Sequence, residues 1–490
     1  MIQQNSFFYF IKDNLLSQFL RLLFHFERFQ NYKKSRSSYN LEISHSTKNV
    51  EIRNDIFSNI NITLIELLLF LSIFLFSFWG CSAQNTQNIE VIQEANFTTK
   101  IKLGIDVLRS RNFDILAGKR VGLITNPTGV DNNLKSTIDI LYEAKNVNLV
   151  ALFGPEHGVR GDTDAGKYIA TYTDDKTNLP VYSLYGKTRK PTKEMLKGID
   201  VLVYDIQDIG CRSYTFISTM GLAMEAASEA GIEFVVLDRP NPLGGNKIEG
   251  NIVEPGYFSF ISQFPIPYVY GLTCGELATL LVKEKMIKTQ NDFPLTIVPM
   301  QGWKREMNYE QTGLEWIPTS PHIPHTFSAY FYPMTGVVGE LRDLISIGVG
   351  YTLPFQIVGT EWINSYNLAD KLNSMEIAGL YFRPITYTPY YAFGKGKKLN
   401  GVQIYIRDYK KVNLTKTQFY ILDAIRKLYP QKDLIKLANE RDMKVLNKII
   451  GSNKVFELFE SSNNLQKVFE FLDKDILRFK KLSKKYYLYN

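Results

Sequence analysis

Between residues 120 and 237 five short apolar runs, at 120–125, 147–153, 181–184, 201–205 and 234–237, alternate with segments of helical character. Strands that alternate with helices join by right-handed crossovers, so the pattern predicts a parallel, doubly wound α/β sheet. The run at 147–153 is mostly apolar, as a strand buried on both faces should be. The longest predicted helix, 215–230, stops at Gly231 in the position of a C-cap. Another starts at Thr273 with Glu276 three residues on, a capping box ahead of an apolar stripe. After residue 316 the alternation weakens, and Pro, Tyr and Phe become frequent. The expected division is therefore an extension over 1–97, an α/β domain over 98–316 and a smaller α+β domain over 317–490.

Each predicted strand ends in polar residues. They are Thr125-Asn126, Glu156-His157, Tyr185, Asp205-Ile206-Gln207-Asp208 and Asp238-Arg239-Pro240-Asn241. In a parallel sheet these ends share one edge, where open α/β sheets bind ligands. Gly154, Pro155 and Gly158 force a tight turn that presents Glu156 beside His157. Carboxylates, amides, Arg212 and Arg239 at one edge offer acceptors and forked donors together, which suits the hydroxyls of a sugar. An ordinary solvated turn also accounts for Glu156 and His157, and cap or turn roles for Asp205 and Asp238.

A hydrophobic content of 45% and a charged content of 22% describe a globular chain. The net charge of +8 is spread out, apart from Lys474, Arg478, Lys480, Lys481, Lys484 and Lys485, so a nucleic-acid partner has no concentrated footprint. Cys81, Cys211 and Cys274 form neither a CxxC pair nor a zinc spacing. The apolar stretch 67–79 is short for a bilayer span and suits a signal-peptide core. It runs into Gly80-Cys81, resembling a bacterial lipoprotein cleavage site with Cys81 as the lipidated residue. An uncleaved signal anchor over 62–80 is the alternative.

Two patterns look chemical and carry less. Residues 161–167 nearly spell a phosphate-binding loop, but Tyr168 stands where a hydroxyl for the metal is required, and Asp162 and Asp164 repel phosphate. His322 and His325 could join His157 around zinc, but Pro321 and Pro324 bar a regular helix, so their spacing sets no shared face.

The motifs as a set carry a resemblance. They are GKRVGLITNPTGV at 118–130, LFGPEHGVRGD at 152–162, VYDIQDIG at 203–210, Arg212 with Tyr214-Thr215, and LDRPNPLGG at 237–245. Gly275-Glu276-Leu277-Ala278, Gly302-Trp303 and Ser320-Pro321 belong with them. Together they resemble the NamZ-type exo-β-N-acetylmuramidases from about Leu103 onward. The resemblance implies a Rossmann-like sheet domain, a smaller C-terminal domain and an active site at their junction. It implies release of N-acetylmuramic acid from the non-reducing ends of peptidoglycan fragments without nucleotide, metal or other cofactor, by proteins commonly exported as lipoproteins. The chain departs from many relatives at 348–352, where an Arg-containing run is frequent, and at His322, where Asn is frequent.

Glycoside hydrolysis needs an acid for the leaving oxygen, and Glu156 in its enclosed turn is the foremost candidate. His157 would tune or orient it. Asp205, Asp208, Glu225 and Asp238 compete for the second catalytic role. A solvated helix face also explains Glu225, which the family pattern around it keeps in view. Arg212 first, then Arg239, and Arg160 failing both, are the expected partners for the lactyl carboxylate of muramic acid. Asn126, Gln207, Tyr214, Asn241 and His322 complete the expected sugar contacts. A metal-dependent amidase or deacetylase built on His157, His322, His325 and Asp162, or a wall-binding protein without catalysis, are the rival classes.

Overall fold

A computed structural model describes residues 100–156, 158–161, 171–462 and 464–490; Cys81, His157 and Asp162 lie outside them. Seven strands, β1 (Arg120–Thr125), β2 (Asn148–Gly154), β3 (Tyr172–Thr173), β4 (Pro180–Ser183), β5 (Val201–Asp205), β6 (Glu233–Leu237) and β7 (Leu295–Val298), form one sheet in the order β3-β4-β2-β1-β5-β6-β7. Neighbours run parallel except β3 with β4. The five expected strands form within a residue of their predicted bounds. The edge strands β3 and β7 lie outside the five expected runs; β3, two residues long, is too short to show a period.

Alternation along β5 builds the core. Val201 and Val203 point into one apolar layer with helices α1 (Gly104–Ser110) and α2 (Thr137–Glu143). Leu202 and Tyr204 point into the other, with α3 (Phe216–Ala230) and α4 (Cys274–Lys283). Helix α3 stops where expected because Gly231 adopts a left-handed φ of 68° and its N–H donates back to Ala227 and Ser228. The capping box at the start of α4 is present, with the Thr273 hydroxyl and the Glu276 side chain each accepting from the other's backbone. The chain winds outward from β1 to β2 and β4, then returns to place β5 on the other side of β1. The topological switch point therefore lies between β1 and β5.

The second part of the chain forms an antiparallel sheet of β8 (Ile357–Thr360), β9 (Leu380–Tyr387) and β10 (Leu399–Ile406), in the order β8-β10-β9. Helices α5 (Thr326–Thr335), α6 (Ser365–Asn373), α7 (Leu414–Leu428), α8 (Glu440–Ile450), α9 (Lys454–Ser461) and α10 (Gln466–Asp473) share its core, while α11 (Ile476–Ser483) buries Ile476 and Phe479 against the first domain. The stretch beyond α11 returns to the first sheet. There the Tyr489 hydroxyl donates to Asp238 at 2.6 Å and accepts from the Met300 N–H at 2.9 Å, and the Arg305 guanidinium lies 3.4 Å from the centre of the Tyr487 ring.

Candidate active site

The switch point holds three buried side chains, each with one polar atom that has no partner among the described residues. Asn126 accepts through Oδ1 from the Thr128 N–H and hydroxyl, which leaves its Nδ2 unengaged. Gln207 donates to the carbonyls of Asp208 and Pro240, both at 2.7 Å, and its Oε1 is left over. Asp208 accepts on Oδ2 from the Gly210 N–H at 2.7 Å and from the Tyr270 hydroxyl, while Oδ1 accepts nothing. Burial pushes the Asp208 carboxyl up to about 7. Orphaned buried groups of this kind cost stability and call for a functional reason.

Glu156 follows β2 and stands half-buried at the same edge. The Thr215 hydroxyl, at the start of α3, approaches it at 3.4 Å, and the Tyr185 hydroxyl donates to it. Burial first, and the Glu156 charge second, push the Tyr185 phenol up to about 12, so Tyr185 keeps its proton and remains a donor. From Thr215 the wall continues through Tyr214. Its ring stands edge-on to Tyr332 of α5 at 5.6 Å, and its hydroxyl donates to Thr319 at 2.8 Å. The Tyr332 hydroxyl in turn accepts from Ser213 at 3.3 Å.

Ser213 and Ile261 from the sheet domain face Tyr332, Glu340, Arg342 and Val445 from the second domain across a cavity of about 130 Å³. Arg342 grips Glu340 through two bonds at 2.8 and 3.1 Å, and its charge reaches back to Tyr185. Arg189, stacked 4.3 Å over Phe260, adds a second cation that acts on Tyr185. The Glu156 edge and the cavity holding Glu340 and Arg342 are thus neighbours, joined by a wall that runs through Thr215, Tyr214 and Tyr332 and by the Arg342 charge acting on Tyr185. Sequence reading missed Ser213, Thr215, Tyr332, Glu340 and Arg342 as cleft residues. Ser213 and Thr215 flank the noted Tyr214, whereas Glu340 and Arg342 sit in another domain with no local pattern to flag them.

Several expected site residues have their polar groups committed within the protein or lie away from the ligand edge. Arg212 is fully buried, and its five N–H donors go to Ser262 and to the carbonyls of Asn251, Ile266, Ile449 and Ile450. It has no donor left for a ligand and instead bolts the two domains together. Arg239 holds both oxygens of Asp205 at 2.6 and 3.0 Å and also donates to the Val130 carbonyl. Thr137 donates to the same Asp205 carboxylate, so that pair is internal scaffolding.

Both oxygens of Asp238 are taken, by the Arg239 and Gly275 N–H groups and by the hydroxyls of Thr273 and Tyr489. Asn241 forms a turn, accepting from the Leu243 N–H and donating to the Leu272 carbonyl. Arg160 pairs with Asp174 at 2.5 and 3.0 Å, which draws that carboxyl down to about 2. Glu225, in the third turn of α3, accepts from the Lys288 N–H and pairs with Lys190 at 3.6 Å, some 13 Å along the helix from the ligand edge. The His322 imidazole stacks on Tyr391 with ring centres 6.0 Å apart. Among the described residues no three His, Cys, Asp or Glu side chains gather as metal ligands.

A parallel sheet whose switch-point edge carries a carboxylate walled by hydroxyls, with unengaged buried amides beside it, has the make-up of a sugar-binding α/β enzyme. Comparison with known proteins narrows the class. The family model for the N-terminal domain of the exo-β-N-acetylmuramidase NamZ matches residues 121–327, and that for its C-terminal domain matches 330–489. The peptidoglycan β-N-acetylmuramidase NamZ of Bacillus subtilis (strain 168) is 45% identical over 390 residues, covering 80% of this chain and 92% of that protein. Two crystal structures of DUF1343-family proteins from Bacteroides fragilis NCTC 9343 each cover 80% of this chain and 99% of their own. Their identities are 57% and 29%, with TM-scores of 0.77 and 0.63. The chain belongs to the NamZ exo-β-N-acetylmuramidase family, and it is an exo-acting glycosidase of peptidoglycan.

Proposed function

We propose that Glu156 protonates the glycosidic oxygen as N-acetylmuramic acid leaves the non-reducing end of a peptidoglycan fragment. The observation that carries this is its position at the cleft wall between the Thr215 and Tyr185 hydroxyls. Those two groups fix the carboxyl without enclosing it, as a proton donor to a bound sugar requires. His157, expected from the sequence to tune or orient Glu156, lies outside the described residues. The unpartnered Nδ2 of Asn126 and Oε1 of Gln207 supply one donor and one acceptor for sugar hydroxyls or the acetamido group. Tyr214, next to Thr215, continues the wall, while the His322 imidazole lies against Tyr391. Asp208, just 4% exposed, acts from beneath as a positioning residue. Glu156→Gln keeps the shape but cannot donate a proton, so turnover of a chromogenic muramic acid glycoside should fall by roughly 10²–10⁴ with KM little changed. Near wild-type turnover would remove Glu156 from the acid role.

Export with a lipid anchor on Cys81 goes with this substrate. The support is the apolar stretch at 67–79 followed by Gly80-Cys81; among the described residues no helix is long and apolar enough to cross a membrane. Cys81→Ser should release the protein from membranes, and continued association would point to an uncleaved apolar anchor.

A further inference from the structure

With Glu156 as acid, the reaction still needs a group to act on the opposite face of the sugar. The other acidic candidates are spent. Asp205 and Asp238 have both oxygens engaged, Glu225 lies far along α3, and Asp208 is sealed under Tyr270. Glu340 is different. It lies on the second domain's wall of the interdomain cavity, its side chain is 24% exposed, and its described partner is Arg342, itself 74% exposed. The hydroxyls of Ser213 and Tyr332 line the same cavity. A carboxylate and two hydroxyls are the polar partners an ordered water needs.

We propose that Glu340 is the second catalytic carboxylate, the base that activates the attacking water. The proposal rests on the glycosidase reading above. The water oxygen bonds to C1 as Glu340 takes one of its protons, while Glu156 gives a proton to the glycosidic oxygen and the C1–O bond breaks. Water's elements end on the two products, and the proton held by Glu340 returns to Glu156 through solvent. Attack from the side opposite the leaving group releases N-acetylmuramic acid first as the α-anomer. Arg342, through its two bonds, holds the Glu340 carboxylate in place on the cavity wall.

The test uses a chromogenic β-N-acetylmuramide with the wild type, Glu340→Gln, Glu340→Ala and Glu156→Gln. Both Glu340 variants should lose roughly 10²–10⁴ in kcat with KM within about threefold, and thermal midpoints should stay close to that of the wild type. Azide should enter the space vacated in Glu340→Ala and raise its turnover at least about tenfold, yielding the α-glycosyl azide, which a merely structural role would not produce. NMR of the first wild-type turnovers should show the α-anomer. A Glu340→Gln enzyme that keeps more than about a tenth of wild-type kcat overturns the proposal, and so does initial β-anomer. Wild-type protein that leaves the glycoside intact would instead sink the glycosidase reading, and the Glu340 proposal with it.

Discussion

Arg212 sits inside one of the most distinctive motifs of the chain and at the edge where ligands bind, and both facts made it the first choice for reading a carboxylate. Its five donors are instead consumed by protein oxygens from two domains. Residue type and neighbourhood were legible in the sequence; the saturation of its donors was not, because Ile449 and Ile450 lie far along the chain. Arg212→Ala should therefore cost stability, about 3–5 kcal/mol from stranded carbonyls and lost charge-assisted bonds. The folded fraction should keep its preference between muramic and glucosamine glycosides, as calorimetry and kinetics on both substrates would reveal. Asp208 makes a second prediction at this scale. Its folded carboxyl titrates near 7 because burial disfavours the charge, well above its unfolded value. The folded state therefore binds the extra proton, and the stability this gives is complete below about pH 4 and lost as pH rises through 7. Asp208→Asn should remove that loss, so denaturation midpoints measured between pH 5 and 8 should fall for the wild type and stay flatter for the variant.

Among elements, signals confined to a few residues were read correctly. Gly231 and the Thr273 box are such signals, because a cap is decided by its own turn. What surrounds the start of α4 was not readable. Asp238 gathers the Gly275 N–H and the Thr273 hydroxyl with the Tyr489 hydroxyl, 251 positions away in sequence. Tyr489→Phe keeps the ring packed edge-on to Trp303 and deletes one bond to a buried carboxylate. Its expected cost is about 1.5–3 kcal/mol, against about 1 for Thr273→Ala at an ordinary N-cap. Chemical denaturation of the two variants would compare them. A larger loss for Thr273→Ala would show that its hydroxyl matters more to Asp238 than the tail does.

In the molecule as a whole, the parallel sheet and its ligand edge were legible because hydrophobic period and polar strand ends recur five times along one stretch. The cleft was half legible. Glu156 and Tyr185 come from that stretch, whereas Glu340 and Arg342 reach the site only through the packing of α5 and its following turn against Ser213 and Ile261. The same packing predicts that the sheet domain does not stand alone. A fragment covering residues 100–316 would expose Arg212 without its α8 carbonyls and Asp238 without Tyr489. It should lack a cooperative unfolding transition in calorimetry, where an independent domain would show one.

The return of residues 487–490 to the first sheet also sets a clock on biosynthesis. Asp238 leaves the ribosome 251 residues before Tyr489, which at ordinary elongation speeds is roughly 10–50 s. For that interval the nascent sheet domain lacks the phenol that completes its buried carboxylate. A chain that completes its first domain only when nearly all of it has been made leaves that domain's apolar surface within reach of chaperones and proteases for the same interval.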